Sequence, residues 1–90
     1  MNAMRTFDKF NAYRPNSADE IAAGVVLHFR KGDVLWRVER VADGYAYLIL
    51  LDDEPDGFFP VGTKGRERIT DCLSNGRIVP PDVAGGLTPT

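Results

Sequence analysis

Asp43-Gly44 constrains this chain more than any other pair of residues, because it separates two hydrophobic-patterned runs, residues 34–42 and 45–51. An Asp-Gly step between alternating apolar residues is the strongest short-range signal for a β-hairpin, since both positions accept positive φ. Two registers compete. A two-residue turn sets Trp36 opposite Leu51 and Val38 opposite Ile49, with Glu39 opposite Leu48 and Arg37 opposite Leu50 on the other face. A three-residue loop, Ala42-Asp43-Gly44 with Gly44 left-handed, sets Trp36 opposite Leu50 and Val38 opposite Leu48. The second reading is preferred, because it gathers Trp36, Val38, Ala46, Leu48 and Leu50 on one face for burial. Arg37, Glu39, Tyr45 and Tyr47 then share the opposite face, as in a sheet covered on one side.

The segments around the hairpin are short. Ser17-Ala18-Asp19-Glu20 fits a capping box opening a helix of at most two turns, which Gly24 closes. From Val25 the period is two, with Val25, Leu27 and Phe29 alternating with Val26, His28 and Arg30, so this is a first strand with His28 outward. Residues 66–73 alternate again, with Ile69 and Leu73 on one side and Arg66, Arg68, Thr70 and Cys72 on the other. Ser74-Asn75-Gly76-Arg77 then reads as a second hairpin turn, and Ile78-Val79 as a strand that Pro80-Pro81 ends. Phe7, Phe10 and Tyr13 recur at helical spacing in an N-terminal arm before Pro15.

These strands and turns predict an all-β fold with one short N-terminal helix, a small SH3-like, partly open barrel of about five antiparallel strands. The arm covers residues 1–16, the barrel 17–83 and a flexible tail 84–90. A chain of 90 residues makes one domain and buries only about 60 to 65 per cent of its unfolded surface. Cys72 is its only cysteine, so no disulfide staples the core and a reducing cytoplasm is the natural setting. Neither a secretory apolar region nor a membrane-spanning run of apolar residues stands in the sequence, so no membrane partner is expected.

No catalytic, metal or nucleotide-binding motif is present, and the expectation is a non-enzymatic interaction module without a cofactor. Asp52, Glu54 and Asp56 before Gly57 imitate the first half of a calcium loop, but Thr63 stands where the closing glutamate belongs and the flanks read as strands, so no metal is expected. A lone His28 has no relay partners, and Cys72 has no base beside it. The working surface is therefore expected among exposed aromatics: Tyr45, Tyr47, Phe58 and Phe59, with Arg37 at the rim, binding a protein partner or a second copy of the chain. The alternative is a nucleic-acid interface built on Lys64, Arg66, Arg68 and Arg77, a local basic group in a chain of net charge −2.

Overall fold

The hairpin forms, taking its turn from one of the two competing registers and its core from the other. The computed structural model describes residues 11–31, 34–51 and 59–87; Phe7, Phe10, the acidic run 52–56, Phe58 and residues 88–90 lie outside them. Five antiparallel strands make one sheet: β1 (Val26–Phe29), β2 (Val34–Ala42), β3 (Tyr45–Leu50), β4 (Lys64–Arg68) and β5 (Gly76–Val79). Their order is β4-β3-β2-β1-β5.

At the hairpin tip Ala42 pairs with Tyr45, and Asp43 and Gly44 carry φ of 55° and 80°. This is the two-residue turn, so the three-residue loop read from the sequence is corrected. Continued without interruption, that pairing would send Arg37 and Glu39 into the core and Trp36 and Val38 out of it. A bulge prevents this: the register shifts between Val38 and Arg40, leaving Glu39 as an extra residue. Beyond the bulge Val38 faces Leu48 and Trp36 faces Leu50, the core pairing that the hydrophobic pattern requires.

The second hairpin does not exist. Residues 69–75, whose alternation resembles a strand, form helix α1 (Ile69–Asn75), and β4 and β5 stand at opposite edges of the sheet. Ile69, Cys72 and Leu73 have helical i, i+3, i+4 spacing, and they pack together with Leu27, Leu48 and Leu50 on one sheet face. Laid flat, five strands about 4.8 Å apart would hold β4 about 19 Å from β5. The helical path from Arg68 to Gly76 spans only about 12 Å. The sheet therefore curls around α1. Gly76 makes the exit possible, since a Cβ there would sit 2.7 Å from the Cys72 carbonyl oxygen, which accepts the Gly76 N–H.

The core has two parts, one on each face. On the α1 side, Leu27, Phe29, Val34, Val38, Ala46, Leu48, Leu50, Cys72 and Ile78 are buried together with Ile21, and Trp36 and Ile69 pack against them. On the other face a smaller cluster joins Val26, Leu35, Leu51 and Val79 to Ala12 and Ala84. Both faces of β1 are thereby covered, and His28, expected outward, is only 4% exposed. Where the sequence predicts a loose tail from Ala84, helix α2 (Pro81–Leu87) runs on, with Pro81 at its first position, where the missing N–H costs nothing. Tyr13, from the N-terminal arm, bridges to Ile78 on the outer edge of β5. The expected capping-box helix shrinks to a 3-10 turn (Ala18–Glu20) without a side-chain cap at Ser17; the Glu20 carboxylate accepts the Asn16 N–H instead. No helix among the described residues is long and apolar enough to cross a membrane.

Leu48→Ala removes a side chain from the centre of the α1-side cluster and should destabilise the domain by about 2 to 4 kcal/mol. Urea denaturation measures this; a loss below about 0.5 kcal/mol would mean that Leu48 is not a core residue.

Candidate functional site

Sheet pairing sorts the side chains of β2, β3 and β4 onto two faces, and the face away from α1 carries the aromatic and cationic residues. Tyr45 lies beside Arg68, Tyr47 beside Arg66, and Ile49 beside Lys64. From the other side, Tyr47 faces Arg40 and Ile49 faces Arg37. The rings and cations touch. The Arg40 guanidinium lies 3.9 Å from the Tyr47 ring centre, Arg66 lies 4.4 Å from that of Tyr45, and Arg68 lies 5.9 Å from the same ring. Such contacts hold long cationic side chains over the rings, each by about 0.5 to 1 kcal/mol at an exposed site.

The Ala12–Ala84 cluster covers this face over β1 and β5, but Lys64, Arg66 and Arg68 on β4 are exposed and Tyr45 and Tyr47 are half-buried. Five cations therefore stand together here: Arg37, Arg40, Lys64, Arg66 and Arg68. The one ion pair they make among the described residues joins Lys64 to Glu39 at 3.2 Å, and so exposed a pair holds either side chain only weakly. A chain that is acidic in total presents a locally basic surface around two tyrosines.

The two groups expected from the sequence thus fall largely on one surface. Tyr45, Tyr47 and Arg37 share it with Lys64, Arg66 and Arg68. Two residues do not join them. Arg77 sits on β5 opposite His28, at the far edge of the sheet, because no hairpin connects β4 to β5; its guanidinium donates to the Ser74 and Gly76 carbonyls. Phe59, 42% exposed, precedes the turn in which Gly62 donates to Leu50 and Leu50 to Thr63, and the Leu50 end of β3 is about 17 Å along the strand from Tyr45. Phe58 lies outside the described residues. Arg40 is the member that sequence reasoning misses. Plain alternation gives it the same parity as Trp36 and Val38, and an arginine at a core parity is itself a sign that a bulge intervenes.

The one thiol of the chain is enclosed. Cys72 is 0% exposed, and burial, reinforced by the Glu67 and Asp71 carboxylates, pushes its thiol up to about 11. Those carboxylates line a polar cleft of 430 Å³ with Phe29, Lys31 and Asn75. A second cavity, of 280 Å³, is mainly apolar and lies between Tyr13, Val26, Val79 and Ala84, with Glu20 at its border. No group of three potential metal ligands forms among the described residues. Comparisons of the chain with protein-family models, curated proteins and solved structures give no match.

The raised thiol pKa predicts a pH dependence. Below the ordinary thiol value of 9.0 Cys72 keeps its proton in the folded and the unfolded chain alike. Between 9.0 and about 11 only the unfolded chain releases it, so the burial of Cys72 makes stability fall as pH rises through that window. The urea midpoint of Cys72→Ala should therefore decline less steeply than that of the parent over this range; equal slopes would contradict the enclosed thiol.

Proposed function

We propose that the protein is a non-enzymatic binding module that engages an anionic macromolecule through the β2–β3–β4 face, with Tyr45 and Tyr47 at the centre and Arg37, Arg40, Lys64, Arg66 and Arg68 around them. The observation that carries this reading is the stacking of Arg40 on Tyr47 and of Arg66 on Tyr45 on the part of the face that the second core cluster leaves uncovered. Aromatic area with few rotors and planar cations are the residue types that dominate binding energy at recognition surfaces. A protein partner, a second copy of the chain and a nucleic acid would all use this same surface.

The strand order, with the last strand added beside the first and a short helix between the fourth and fifth strands, supports an SH3-like, partly open barrel as the framework. A non-enzymatic role is supported by the placement of His28 and Cys72. Both are buried, and they lie on opposite faces of the sheet, where they share no substrate.

The test uses two anionic probes, a twelve-residue polyglutamate and a twelve-nucleotide oligothymidylate, each titrated into isotope-labelled protein. At least one should shift the backbone amides of β3 and β4, and Tyr47→Ala should weaken that binding at least about tenfold while the domain stays folded. Shifts confined to other elements, no binding of either probe, or a Tyr47→Ala variant that binds as the parent does would overturn the proposal.

A further inference from the structure

Within the binding reading above, on which this inference rests, we propose that the ligand is a single-stranded nucleic acid, lying along β3 with its bases over the Tyr45 and Tyr47 platforms and its phosphates beside the β4 cations. Three features of the face favour this class over an acidic protein.

The first is spacing. Lys64, Arg66 and Arg68 repeat every second residue on one strand, which sets them about 6.8 Å apart. Tyr45 and Tyr47 repeat at the same interval on the neighbouring strand, about 4.8 Å to the side. A row of cations parallel to a row of ring platforms, both with one period, matches a polymer that carries one phosphate and one base per repeat. An acidic polypeptide matches the cation spacing at every second residue but carries no ring at each repeat to set over the tyrosines.

The second is the stacking already present. A guanidinium lies over each ring, so an unpaired base stacks here either on the arginine or on the tyrosine that the arginine uncovers as it swings to a phosphate. A base inserting here meets a planar partner without regard to its sequence, because every base has a π face. Duplex ends most of this advantage by keeping its bases paired and stacked on one another.

The third is polarity. The open part of the face is three strands wide and five residues long. The core of a stable protein interface is depleted in charge. Here the centre is ringed by cations, and its apolar content is Ala42 and Ile49 with the two tyrosine rings. A few nucleotides need no more than this, and their affinity comes from phosphate contacts and stacking instead of a dry core.

Fluorescence anisotropy of labelled oligothymidylate, twelve nucleotides long, tests the assignment on the full chain. Binding should weaken with salt at a log–log slope of about −2 to −3, the value for three or four phosphate contacts on a single strand. Between 50 and 200 mM salt that is roughly a 15- to 60-fold loss. An abasic strand of equal length should bind about tenfold more weakly, Tyr45→Leu or Tyr47→Leu should each shrink the difference between the two strands, and the double variant should remove it. Arg66→Gln, on an exposed side chain, should reduce the salt slope while the domain stays folded, which keeps the test decisive if a tyrosine variant unfolds. If polyglutamate or a duplex binds as tightly as the oligothymidylate, or if the abasic strand binds as well as the parent strand, the single-strand assignment fails while the binding face stands. If neither anionic probe reaches the β3 and β4 amides, the binding face fails with it.

Discussion

One extra residue in β2 decides which side chains this domain buries and which it shows. Asp43-Gly44 favours a two-residue turn because both positions adopt positive φ. The hydrophobic pattern demands a pairing that this turn cannot deliver by simple continuation. The conflict is resolved at Glu39, where the bulge shifts the register by one. Below it, Trp36 and Val38 enter the core with Leu48 and Leu50. Above it, Arg40 is carried out to the face where it meets Tyr47. The same local irregularity that completes the core therefore assembles the candidate site.

A second constraint gives the sheet unequal faces. The chain crosses from β4 at one edge to β5 at the other within α1, and so short a helix reaches only if the sheet curls over it. Burying Cys72, Ile69 and Leu73 on the inner side fills the concavity. The convex side receives less cover: residues from the N-terminal segment and α2 reach β1 and β5, and β3 and β4 keep an open surface. Tyrosines and arginines suit that position, since each has an apolar body that packs on the sheet and a polar end that stays in water.

Much of this is legible in the residues themselves. Alternation in residues 34–51 identifies the hairpin and its buried set, because a face that must be buried dictates parity. The bulge is less visible, since a one-residue shift changes no residue type; the only trace is Arg40 at a position whose parity belongs to the core. Ile69, Thr70 and Cys72 look strand-like by propensity, yet packing under a curled sheet makes them helical, and tertiary contact overrides a weak local preference. The same helix separates Arg77 from the basic group, because without a second hairpin β5 has no reason to lie beside β4. Pro81 followed by Asp82 is a helix-start signal that a preceding strand and a Gly-rich continuation obscure. Tyr45, Tyr47, Arg66 and Arg68 are all visible as candidates, but their coalescence into one site depends on strand pairing, which no single segment records.

The pairing of β2 with β3 on either side of Glu39 is accordingly the point on which core and site both rest. Cross-strand proton contacts measured by solution nuclear Overhauser spectroscopy report it directly. Contacts are expected between the backbone protons of Val38 and Leu48 and between those of Arg40 and Tyr47, with Glu39 unpaired between them. A ladder in which Glu39 pairs with Leu48 and Val38 with Ile49, running without a break from the Asp43-Gly44 turn, would contradict it.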